Sequence, residues 1–83
     1  MERGEILVVL AEVATEVLGV DSDAVMEEAS FKDDLDADSL DLVEFVMALE
    51  ERLDITIAED ELVAIKTVGQ AADVVVAKLA VRS

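Results

Sequence analysis

Apolar residues recur at helical spacing in three separate stretches of this 83-residue chain. In residues 3 to 18, Ile6, Val9, Leu10, Val13 and Val17 fall on one stripe at 100° per residue, with Glu5, Glu12 and Glu16 away from it. Leu42, Val46, Leu49 and Leu53 repeat at i, i+4, i+7 and i+11, and Val68, Ala71, Ala72, Val75 and Leu79 share a third face. Ile55 to Ile57 alternates like a strand, but three residues cannot carry a sheet. The pattern predicts an all-α chain.

Local signals set the boundaries. Gly19 supplies a stop for the first helix, with Val20 placed for a contact back to its last turn. Asp38 is placed to cap a helix that starts at Ser39, with Asp41 in its first turn. A short helix fits Glu59 to Ala64, and Thr67 with Gln70 three residues on forms a capping box for the last helix. Residues 19 to 38 are a long acidic connection, too long to be structureless in so small a chain. It is expected to pack through Val25, Phe31 and Leu35 and to hold a short turn near Ser22 to Met26. The expected architecture is a small four-helix bundle with a short third helix and a long loop between helices 1 and 2. Residues 1–83 are expected to form a single domain.

Composition then removes whole classes of function. The chain has no cysteine, histidine, tryptophan, tyrosine or proline. Disulfides, thiolate metal sites and histidine relays are therefore excluded. Apolar residues make up 54%, which argues against disorder, yet only Phe31 and Phe45 are aromatic, so aliphatic side chains must fill the core. The formal charge is −15, from 21 acidic and 6 basic residues. Such a chain repels nucleic acid and anionic membranes and suits a partner with a basic surface. The run Ile6 to Ala11 is too short for a signal segment, and nothing has the length of a membrane span, so a cytoplasmic location is expected.

From Asp33 to Glu51 there are eight acidic residues and no basic one. A solvated helix face, a cation site and an attachment site with a docking surface all compete to explain them. Asp34, Asp36 and Asp38 match positions 1, 3 and 5 of an EF-hand loop, but Ser39 stands where glycine is needed and Phe45 where the bidentate glutamate belongs. No dedicated metal site is expected. A simple solvated face fails on geometry, because Leu40, Glu44, Met47 and Glu51 lie within about 60° of one another, opposite the Leu42/Val46/Leu49 seam. Two large apolar side chains thus stand on the acidic face, as in a partner-binding stripe. Ser39 opens that helix, where free backbone N–H groups and the positive dipole end favour a phosphate, although a serine at a helix start, taken alone, is far more often simply a capping residue.

Asp38-Ser39-Leu40, within Asp33-Asp-Leu-Asp-Ala-Asp-Ser-Leu-Asp-Leu-Val-Glu44 and continuing to Met47-Ala-Leu-Glu-Glu51, resembles the acyl carrier proteins of dissociated (type II) bacterial fatty acid synthesis. Ala29-Ser30-Phe31 before it and Ile65-Lys-Thr-Val68 after it fit as well, so the resemblance covers nearly the whole chain. It implies that Ser39 receives pantetheine 4'-phosphate from coenzyme A and that acyl groups hang from the arm as thioesters, delivered to other enzymes by a chain that is not itself one. It implies a partner face of Asp38, Leu40, Asp41, Glu44, Met47, Glu50 and Glu51. The implied partners are a phosphopantetheinyl transferase and basic-surfaced ketoacyl synthase, reductase, dehydratase and acyltransferase enzymes. It implies an acyl-chain pocket of Phe31, Leu42, Val46, Leu49, Ile57, Leu62, Ile65 and Ala71, all of them also ordinary core positions. Two residues depart from the family pattern: Asp36, where glycine often precedes Ala-Asp-Ser, and Ala58, where proline commonly follows the isoleucine of the third connection.

A monomeric carrier is expected, with a specialised carrier for polyketide, lipopeptide or other secondary metabolism as the rival within the class. The rival from another class is an unmodified acidic adaptor or cation-responsive protein, in which Ser39→Ala would change nothing. Either way, the acidic Asp33–Glu51 cluster predicts that moderate salt or divalent cations stabilise the fold by screening and so raise Tm. Thermal melts with no shift between low and moderate salt would overturn this.

Overall fold

The computed structural model describes the backbone of residues 2–82 and the side chains of residues 2–80. It contains four α-helices: α1 (Arg3–Leu18), α2 (Ser39–Leu53), α3 (Glu59–Ala64) and α4 (Val68–Arg82). A 3-10 turn at Ser22–Ala24 interrupts the α1–α2 connection. The described residues form no strand, only an isolated antiparallel bridge between Ser30 and Thr67. Ile55 and Ile57 are buried without pairing as a strand.

Each helix ends where its sequence can satisfy the exposed backbone groups. Gly19 takes a left-handed φ of 71° and donates its N–H to the Thr15 carbonyl at 3.2 Å, closing α1. At the start of α2 the Asp38 carboxylate accepts from the Asp41 N–H at 2.9 Å, and the Asp41 carboxylate accepts from the Asp38 N–H at 3.3 Å. Gln70 accepts from the N–H groups of Lys66 and Thr67 at 2.7 and 3.0 Å, while the Thr67 hydroxyl accepts from the Gln70 N–H at 3.2 Å. Asp54 closes α2 in a left-handed conformation, φ 55°, that nothing in the sequence pattern had signalled.

The core joins Ile6, Leu10, Val13 and Ala14 of α1 to Phe45, Val46 and Leu49 of α2 and to Val68, Ala71, Ala72 and Val75 of α4. Val9, Val17, Leu42, Leu53 and Leu79 pack half-buried around it. Phe45 is fully buried although it lies on the flank of the apolar seam. Its ring meets that of Phe31 with centroids 5.1 Å apart and planes tilted by 52°, a favourable aromatic geometry. The long connection thus covers a side of α2 that periodicity alone leaves open.

The same connection is laced onto the start of α4. Phe31 donates its N–H to the Lys66 carbonyl at 3.0 Å, Val68 donates to Ala29 at 3.0 Å, and Gly69 donates to Glu27 at 2.9 Å. Loop carbonyls therefore satisfy N–H groups that the first turn of α4 would leave orphaned. A Cβ at Gly69 would stand 3.1 Å from the Glu27 carbonyl oxygen, so the backbones approach closely here. Arg3 pins the same corner, bonding Glu27 at 2.6 Å and Asp73 at 2.7 Å; these two carboxylates, Glu27 first, raise its pKa. Arg52 pairs with Glu12 and joins α2 to α1.

Removing the Phe45 ring leaves a large cavity between α2 and the connection. Phe45→Ala should cost about 3–5 kcal/mol, measured as a loss in urea unfolding free energy. A loss under about 1 kcal/mol would mean that the aromatic pair is not central to the core.

Candidate functional site

Ser39 is the first residue of α2, and Asp38, one position earlier, performs the capping. The Ser39 hydroxyl is consequently released from that task. It makes no side-chain hydrogen bond among the described residues and is exposed. The approach to it is set by Asp36, whose φ of 53° is left-handed, and by the Ala37 N–H, which donates to the Phe31 carbonyl at 2.7 Å. Asp36 thus adopts the conformation that glycine takes most easily, and a short polar side chain tolerates it better than most.

An open groove of about 1000 Å³ runs beside Ser39, bounded by the connection from Ser30 to Asp38, the start of α2, and α3 with Ile65 and Lys66. Of the eight apolar positions singled out for an acyl chain, Phe31, Leu42, Leu62 and Ile65 line the groove. Val46, Leu49, Ile57 and Ala71 lie buried in the core. Val43 and Val63 also line the groove, and the sequence pattern had set neither apart. Val63 is 74% exposed on a helix of only six residues, too short for periodicity to define a face.

Along α2, Leu40 and Met47 are 66% and 59% exposed, with Glu44 and Glu51 exposed between and beyond them. The other carboxylates of this face have structural partners. Asp38 and Asp41 cap the helix, and Glu50 is half-buried, accepting from the Ile57 N–H at 2.8 Å. The 3.6-residue pattern could not reveal that last bond, because it depends on how the chain turns after Asp54. Among the described residues, no group of three acidic side chains is arranged to hold a metal ion. No described helix is long and apolar enough to cross a membrane.

The sequence pattern of the family described as "Phosphopantetheine attachment site" matches residues 8–75, which include the groove, Ser39 and the exposed face of α2. The chain belongs to this family. A relative from Rubrobacter xylanophilus, named "Acyl carrier protein", is 50% identical over 76 residues, spanning 92% of this chain and 94% of the relative. Among solved structures, the acyl carrier protein from Thermotoga maritima superposes with a TM-score of 0.89 at 34% identity, over 100% of this chain and 96% of that one. That from Enterococcus faecalis gives 0.76 at 35% identity, over 94% and 99%. The residues present fit the family's prosthetic group: an exposed hydroxyl that no capping bond occupies, next to a groove open to solvent and lined in part by apolar side chains.

The α3 wall of the groove carries no buried residue and is clasped to α4 by Glu61, which accepts from Lys78 at 2.6 Å and from the Ala58 N–H at 3.2 Å. Lys78, and to a lesser degree the Ala58 N–H, hold the Glu61 carboxyl below its usual pKa, against the opposing effect of burial. A carboxyl lowered in the folded state adds stability above its unfolded pKa, and that stability is lost as pH falls through the folded value. Lys78→Gln should therefore lower Tm near neutral pH, and the gap to the parent should narrow as the solution is acidified below the ordinary glutamate pKa of about 4.3. A gap that stays constant would show that the clasp is not electrostatic.

Proposed function

We propose that this chain is an acyl carrier protein of fatty acid synthesis, bearing phosphopantetheine on Ser39. The observation that carries this reading is the exposed Ser39 hydroxyl, free at the first position of α2 because Asp38 takes the cap. The group supplies a thiol on which acyl intermediates travel as thioesters, which the cysteine-free chain does not provide itself. What the chain provides is placement. Asp36 and the Ala37–Phe31 bond hold the loop that presents Ser39, and the carboxylates of α2 offer a charged face to basic partners. The chain catalyses no acyl step.

A phosphopantetheinyl transferase loads Ser39 in this scheme. Ketoacyl synthase, reductase, dehydratase and acyltransferase partners then dock on Asp38, Leu40, Asp41, Glu44, Met47, Glu50 and Glu51, with Leu40 and Met47 as the apolar anchors. Acyl chains enter past Phe31, Leu42, Leu62 and Ile65 and reach toward Val46, Leu49, Ile57 and Ala71 by parting the core. The carrier acts as a cytoplasmic monomer.

Incubation with coenzyme A and a broad-specificity transferase should add one phosphopantetheine to the parent, read by intact mass, and none to Ser39→Ala. Because Asp38 and not Ser39 caps α2, the variant should keep its Tm within about 3 °C of the parent. A mass gain on Ser39→Ala, or none on the parent with a transferase active on a control carrier, refutes the assignment.

A further inference from the structure

Three of the six basic residues are engaged with the chain's own carboxylates: Arg3, Arg52 and Lys78. Lys32 and Lys66 are not. Neither forms an ion pair among the described residues, although 21 acidic side chains are available, and both line the groove that contains Ser39. Phe31 brings them together. Its N–H bonds the Lys66 carbonyl at 3.0 Å, Lys32 follows it in the chain, and its carbonyl accepts from Ala37 at 2.7 Å. Ser39 lies two residues beyond Ala37, at most about 7.6 Å along the backbone. Two cations on long flexible stems, without an ion pair among the described residues, thus line the same groove as Ser39, whose other charged members are Asp33, Asp36 and Asp38.

We propose that Lys32 and Lys66 are positioning residues for the phosphodiester of the arm, holding it at the groove mouth against the repulsion of the neighbouring carboxylates. The inference rests on the carrier reading and extends it to residues of the connection and of the α3–α4 turn. An ammonium is a point-charge partner for a phosphate oxygen and needs no fixed orientation, which suits an arm that must also leave the groove. Without the two lysines, a phosphodiester on Ser39 would add negative charge to a site that holds only carboxylates as charged neighbours.

The test compares the parent, Lys32→Gln/Lys66→Gln, and Arg52→Gln as a charge-loss control at a residue that does not line the groove. Each is melted in the apo and phosphopantetheine-loaded forms, freed of coenzyme A and verified by intact mass. At low salt, loading should lower Tm by about 2–5 °C more in the double variant than in the parent, and this excess should vanish in high salt. Arg52→Gln should show the parent's apo-to-loaded change. The difference between apo and loaded forms cancels any effect of the lysines on the fold itself. Equal changes in the parent and the double variant, or the same excess in the control, would overturn the proposal and leave the carrier reading standing. A parent that gains no phosphopantetheine would overturn both.

Discussion

Phe31 is held in three directions, and the site takes its shape from them. Its amide reaches the α3–α4 turn, its carbonyl receives Ala37, and its ring lies against Phe45 in the core. The first bond fixes the long connection to the start of α4, the second closes the turn that presents Ser39, and the third anchors both to α2. Loss of the ring contact would leave the two backbone bonds exposed to water, where a hydrogen bond contributes little net stability. The aromatic pair thus joins the backbone bonds from Ala29 and Glu27 to α4 in fixing a 20-residue connection that leads to Ser39.

The helices and most of their ends, the Asp54 end of α2 excepted, were legible because the deciding signals are local. Asp38 with Asp41, Thr67 with Gln70, and Gly19 each act within one turn, so spacing alone reveals them. Ser39 stood out for the same reason, and the extended motif around it gave the family. Contacts made by distant segments were not legible. Glu50 meeting Ile57, Ala29 meeting Val68 and Lys66 meeting Phe31 depend on how the connections turn, which no periodicity encodes. Phe45 was hidden because a residue on the flank of a seam is buried only if something covers it, and its cover comes from 14 residues upstream.

The groove and the charged face follow different physics. Its α3 wall is short, lacks a buried anchor and is held by an ion pair, so it is the wall most easily displaced. The opposite wall is tied by the hydrogen bonds of the connection. An apolar guest would then find one yielding side and one firm side. The proposed docking face needs no such compliance, since Leu40 and Met47 already stand clear of the helix that carries them.

The acidic residues around Ser39 divide by what they touch. Asp34 accepts from the Ser30 N–H at 2.7 Å, Asp38 and Asp41 cap α2, and Glu50 receives Ile57, so these four serve the backbone. Glu44 and Glu51 are exposed on the surface of α2, with no such duty described. If α2 docks basic partners as proposed, sequence drift at these two positions can retune which surfaces the carrier prefers while the fold stays intact. The other four are constrained by the fold even if every partner changes, so descendants of this chain serving different enzymes would keep the same acidic skeleton and differ at its tips.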